Sequence, residues 1–217
     1  AGTLYLLTFV SVPTLVLYGQ VKGANYILGA GSDTAAIIGG ILEIIVALAG
    51  IGTAVVLFPV VRRKSERAAL GFVTTRVLEA AMIFVGVLSV LSIVTLHKDG
   101  VSGADATALV GTGHALVALH DWTFLLGPGF TDGIGTGLIL GWLMYRSGVV
   151  SRRMALFGVV GGPLLAASGA AVLFGLIPQG SPVQSIATLP EIVWELFLGL
   201  GLTFKGFQAA APILRRE

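Results

Sequence analysis

The chain has no cysteine, which excludes disulfides, thiolate metal sites and cysteine nucleophiles. Charge is scarce: Asp, Glu, Lys and Arg make up 11% of the 217 residues, against roughly 25% in ordinary soluble domains. No Walker loop, G-x-S-x-G, H-E-x-x-H or dinucleotide fingerprint is present, so the familiar soluble enzyme chemistries have no foothold. The pairs Gly133-Ile134-Gly135 and Gly199-Leu200-Gly201 fall inside apolar runs, where close helix packing accounts for them. The net charge of +2 is not a nucleic-acid footprint, because the basic residues sit in short turns, and no nucleic-acid partner is expected.

What is abundant is apolar. AVILMFWYC supply 55% of the chain, glycine contributes 31 residues, and the mean hydropathy is +0.95. This composition predicts an all-α integral membrane protein, a single transmembrane domain over 1–217 whose environment is the lipid bilayer. Six spans are expected, at about 3–21, 34–60, 68–96, 120–145, 154–177 and 190–211. The first apolar run lacks the basic start and cleavage site of a signal peptide, and the native N-terminus is expected to be a few residues longer. Ser32 and Asp33 are candidate caps for the second span. From Asp105 to Tyr145 the apolar stretch is about forty residues, too long for one crossing of ~30 Å. It is split here into a possible outer-surface helix at about 105–119 and a fourth span. Gly127-Pro128-Gly129 in span four and Gly161-Gly162-Pro163 in span five predict kinks, and Pro190 is expected to open span six.

Arg62, Arg63, Lys64 and Arg67 lie in one turn, Arg146, Arg152 and Arg153 in another, and Arg215 and Arg216 at the C-terminus, against Lys22 and Lys98 on the opposite side. This asymmetry predicts a multi-pass protein of a cytoplasmic (inner) membrane with both termini in the cytoplasm. Gly133, Gly137 and Gly141 in span four, and Gly158 and Gly162 in span five, recur at i, i+4. Such faces allow close backbone approach, either within the chain or in a homo-oligomer.

The spans carry charges that hydrocarbon penalises by at least ~2.5–3.5 kcal/mol each. Arg76 and Glu79 share one helix face, and Arg76 lies ~14 Å past the basic turn. Glu43, Asp132, Glu195 and Lys205 are also intramembrane, Lys205 nearest the cytoplasm; His120, Asp121 and Glu191 are shallower, on the outer side. The expected partners of Arg76 are Glu79 and Glu43, with Glu195 third. The acid excess is resolved by protonated carboxylates, a bound cation or a wet cavity. The predicted ligand- or ion-binding set is therefore Glu43, Arg76, Glu79, Asp132 and Glu195, with His120, Asp121 and Trp122 near the mouth. Trp122 and Trp194 equally fit an interfacial aromatic belt. No metal site is expected: His114 and His120, six apart, stand about 240° apart around one helix. No cofactor is implied, and no catalytic residue can be named.

Leu4-Tyr5-Leu6-Leu7, Arg76-x-x-Glu79, His120-Asp121-Trp122 and Leu143-Met144-Tyr145-Arg146-Ser147-Gly148 together resemble a bacterial six-span membrane protein family, domain of unknown function 4386. Asp121 departs from that pattern, where a small polar residue often follows the histidine, and the Gly127-Pro128-Gly129 break is particular to this branch. The resemblance implies an α-helical bacterial membrane protein and implies no activity. Three functions stay open on the buried charges: binding or transport of a small cationic or protonatable ligand or ion, a structural subunit whose charges fix helix packing, and an intramembrane enzyme acting on a lipid.

Overall fold

The computed structural model describes residues 1–23, 26–29, 31–99 and 106–214, which form helices and no strand. Arg215 and Arg216, Asp105 and the Gly100–Ala104 part of the expected outer loop lie outside the described residues. In chain order the helices are α1 (Gly2–Thr8), α2 (Thr14–Leu17), α3 (Asp33–Val61), α4 (Glu66–Asp99), α5 (Ala106–Phe124), α6 (Gly141–Ser147), α7 (Arg152–Leu173) and α8 (Pro182–Phe204). Of these, α3, α4, α7 and α8 are each long and apolar enough to cross a membrane.

Local chemistry sets the boundaries. The Ser32 hydroxyl accepts the Thr34 amide at 3.3 Å and caps α3. α4 follows after the tight turn Arg62–Ser65, where the Ser65 hydroxyl accepts the Ala68 amide. At ~51 Å, α4 is longer than the ~30 Å hydrocarbon thickness of a bilayer. Gly148, at φ 68°, ends α6 in the left-handed conformation that a Cβ disfavours.

Three expectations need correction. The first span is not one helix: α1 passes through a 3₁₀ turn, Phe9–Ser11, to the short α2, because Pro13 cannot donate to the ladder. The split at 119/120 is absent. The backbone is helical from Ala106 to Ser147, and across Leu125–Thr131 and Gly133–Leu140 it widens into π-helical turns instead of breaking. The Asp132 amide donates to the Gly127 carbonyl, five residues back, so the wider ring absorbs Pro128. α7 is one helix with Pro163 inside it. Finally, α8 begins at Pro182, not Pro190. Ser181 caps it by accepting the Gln184 amide, Pro182 occupies the first turn, and Pro190 lies inside the helix. It ends at Phe204, where Gly206 at φ 67° turns the chain, so Lys205 lies beyond the helix and is exposed.

Helices α3 and α4 form a long antiparallel pair, and α7 packs on both α8 and the π-helical segment. The glycine faces meet inside the chain: a Cβ on Gly137 would lie 2.3 Å from Gly162 Cα, and one on Gly162 2.2 Å from the Gly133 carbonyl. One apolar core, with Tyr5, Leu57, Phe72, Leu143, Trp194 and Leu198, fills the end that carries the basic turns. A second, with Tyr18, Tyr26, Ile93 and Val94, fills the opposite end. The buried polar side chains lie between them.

Candidate functional site

Arg76 is the centre of the polar layer and is 2% exposed. Its Nη1 donates to Glu79 Oε2 at 2.7 Å, Asp132 Oδ1 at 2.6 Å and Thr136 Oγ1 at 3.1 Å, and Glu195 Oε1 stands 3.8 Å away. Each contact follows from local structure. Glu79 is one helical turn along α4 from Arg76. Asp132 and Thr136 project from the widened segment, and the glycines beside them bring α7 close. Gly50 on α3 leaves room for the guanidinium, since a Cβ there would be 3.0 Å from Arg76 Nη2. The Tyr5 ring lies 6.0 Å from the guanidinium carbon. The indole of Trp194 donates to the Thr136 carbonyl at 2.9 Å, tying α8 to the same layer.

Glu43 is not a partner of Arg76. It faces His120, with Oε1 3.4 Å from Nε2. On the other side of the ring, Asp121 Oδ1 is 3.6 Å from His120 Nδ1 and 2.5 Å from Lys22 Nζ. The Tyr18 ring meets the imidazole edge-on at 5.1 Å. A line of groups thus runs from the half-exposed Asp121 and Lys22 inward to the buried Glu43. Acid, imidazole and acid in sequence can hold or relay a proton.

Arg76, its carboxylates and the line of groups through His120 face one cavity of about 810 Å³, bounded by α3, α4, α5, α8, the first helical segment and the π-helical segment. Six carboxylates face it, Glu43, Glu79, Asp121, Asp132, Glu191 and Glu195, against the permanent cations Arg76 and Lys22 and one histidine, His120. Between the acids, the wall is apolar, with Leu15, Val46, Ile83, Leu165 and Ile192. Seven of the eight residues singled out in the sequence lie on this wall. Trp122 does not; it turns outward and is 44% exposed.

The sequence reasoning missed Glu191. It is 2% exposed and neither carboxylate oxygen has a hydrogen-bond partner. It is wedged against glycine backbones, so that a Cβ on Gly137 would lie 2.6 Å from its Oε2 and one on Gly161 3.0 Å. The usable signal was its spacing of four from Glu195, which puts both on one face of α8. Starting that helix at Pro190 placed Glu191 in the interface instead. Lys22, assigned to a loop, was missed as the partner of Asp121. Among the described residues no cluster of histidines and acids is arranged to hold a metal ion; the carboxylates nearest one another already surround Arg76.

No curated protein and no solved structure matches the chain. Residues 1–206 match the family described as Domain of unknown function (DUF4386), and the chain belongs to that family.

Proposed function

We propose that the chain crosses a bacterial cytoplasmic membrane six times, with its termini in the cytoplasm, and that its acid-lined cavity binds or transports a small cationic or protonatable ligand or ion. The first span is then α1 to α2 with the turn between them, and the fourth is the inner part of the Ala106–Ser147 helix. The cavity faces outward, because it lies toward the end opposite the basic turns.

Glu191 carries this reading. Arg76 and its partners, taken alone, fit a packing role, since every charge there has a neighbour. A carboxylate with two unpartnered oxygens does nothing for packing, because burying an unpaired polar group is costly. On the wall of a cavity already rich in acids, it fits a place for a proton or a cation.

Thermal unfolding of the detergent-purified protein against inorganic and alkylammonium cations, at two pH values, tests the reading. A ligand at a hundredfold excess over its Kd stabilises by ~2.7 kcal/mol. We expect at least one cation to raise the midpoint, less so at lower pH as protons compete for the carboxylates, and we expect Glu191→Gln to shrink the shift. If no cation moves the midpoint, and Glu195→Gln is destabilised by the loss of its contact with Arg76, the charges are packing devices and the structural role replaces this one.

A further inference from the structure

The cavity has two boundaries that differ in kind. Toward the aqueous end it is bridged by polar contacts: Lys22 pairs with Asp121 at 2.5 Å, and Gln179 Nε2 donates to the Asp121 carbonyl at 3.0 Å. Both contacts converge on α5, one from the segment after α2 and one from the segment before α8. On the flank between α2 and α8 the situation is reversed. Near the basic end α1 is tight against α8: a Cβ on Gly2 would lie 2.3 Å from the Thr203 amide nitrogen, and one on Gly199 2.7 Å from Leu6. Beyond Thr8 the first segment stays packed on α3, but neither Phe9–Ser11 nor α2 packs appreciably against α8. Among the described residues no hydrogen bond or ion pair spans that flank. The two helical elements therefore diverge like a V, joined at one end and parted where the cavity lies.

The edges of the V carry apolar side chains beside hydroxyls, Thr14 on one side and Ser185 and Thr188 on the other, that are spent on carbonyls of their own helical turns. Val12 and Leu15 border the cavity on one side, and Leu189 and Ile192 on the other. Leu15 is 75% exposed and Leu189 54%, so each presents apolar surface beyond its own packing. In a chain that spans a bilayer, a cleft with such edges would open toward lipid chains. The cavity is also large for an inorganic ion: its volume lies in the upper part of the ~300–1,000 Å³ range for sites that take organic ligands.

We propose that the ligand is a membrane amphiphile bearing an amine, and that it reaches the site sideways from the bilayer through the cleft between α2 and α8. Its ammonium group lies beside Glu191 and Glu195, one turn apart on α8, and its alkyl chain lies between Leu15 and Leu189, reaching the lipid. This rests on the reading that the cavity takes a cation, and adds the chemical class and the route. Charge complementarity selects the headgroup, because six carboxylates face the cavity against two permanent cations. The parted flank, with its apolar side chains, selects the tail.

The test uses the full chain in phosphatidylcholine nanodiscs with three probes, hexadecylamine, hexadecanol and butylamine. Because the chain lacks cysteine, Val12→Cys and Leu189→Cys can be joined by a flexible bis-maleimide across the cleft without side reactions. We expect hexadecylamine to raise the unfolding midpoint and hexadecanol to leave it unchanged. Bridging should weaken hexadecylamine at least tenfold relative to the unbridged double variant and leave butylamine within twofold. Leu189→Trp, which narrows the cleft without a cross-linker, should weaken hexadecylamine in the same direction. Two results overturn the lateral route and the amphiphile while leaving the cation site standing: butylamine binding where hexadecylamine does not, or hexadecylamine indifferent to both closures. Equal binding of hexadecanol overturns the amine headgroup. Failure of both amines overturns the cation site itself.

Discussion

At the scale of the residue, one nitrogen does most of the neutralising in this protein. Arg76 Nη1 reaches Glu79, Asp132 and Thr136 within 3.1 Å, and Glu195 stands just beyond. Removing the guanidinium would leave the buried carboxylates of Glu79 and Asp132 and the partly buried one of Glu195 facing one another, and breaking a buried pair in this way costs ~3–5 kcal/mol. Arg76→Leu should therefore be severely destabilised in detergent melts. Arg76→Lys should fall between it and the parent, since an ammonium supplies the charge without the planar fork. An Arg76→Leu protein within ~1 kcal/mol of the parent would mean that the carboxylates are already neutralised by something other than Arg76. That Arg76 needs a carboxylate was readable in the sequence, because the cost of a bare guanidinium in hydrocarbon depends on no tertiary detail. Which carboxylate was not. Glu79 is fixed by helix geometry, but Asp132 reaches Arg76 only through the π-helical widening, and Glu43 is drawn off by His120.

At the scale of the element, the packing of the widened segment against α7 depends on having no side chains at the crossing. A Cβ on Gly137 would sit 2.3 Å from Gly162 Cα and 2.6 Å from Glu191 Oε2, and a backbone atom cannot swing aside as a side-chain end can. Gly137→Ala should cost ~1–3 kcal/mol by forcing the helices apart. Gly111 on α5 is the contrast, because nothing lies within 4 Å of a Cβ there. Gly111→Ala should be neutral or stabilising by up to ~1 kcal/mol, since alanine loses less backbone entropy in a helix. Equal midpoints for the two variants would sink this account of the crossing. Elements bounded by one clear signal were legible: α3 at Ser32-Asp33, and α4 after the basic turn. Where two signals of the same kind competed the sequence misled, as at Pro182, ahead of Val183, and Pro190, ahead of Glu191-Ile192-Val193. Hydropathy favours the second; the cap at Ser181 decides for the first. A proline among glycines likewise announces a disturbed ladder around Pro128, without saying whether the helix breaks or widens.

At the scale of the whole molecule, the two basic turns and the tail share one end. Arg63 Nη1 donates to the Ile213 carbonyl at 3.2 Å, and the Gln208 amide donates to the Val149 carbonyl at 2.9 Å, so the segment after α8 touches both turns. At the opposite end the basic residues are Lys22 and Lys98, each beside a carboxylate: Asp121 at 2.5 Å and Asp33 at 3.9 Å. Orientation in a membrane follows the Lys and Arg bias of the short connections, so the end with Arg62–Arg67 and Arg146–Arg153 should stay in the cytoplasm. The absence of native cysteine makes this directly measurable. Ser65→Cys lies between α3 and α4, Ser151→Cys before α7, and Ser185→Cys in the first turns of α8, where it is exposed. In intact cells a membrane-impermeant maleimide should label Ser185→Cys, and should label the other two only after the membrane is opened. Labelling of Ser65→Cys or Ser151→Cys from outside would invert the protein. The cavity would then face the cytoplasm, and the V between α2 and α8 would open to the inner leaflet, so a bilayer amine would have to be drawn from that side.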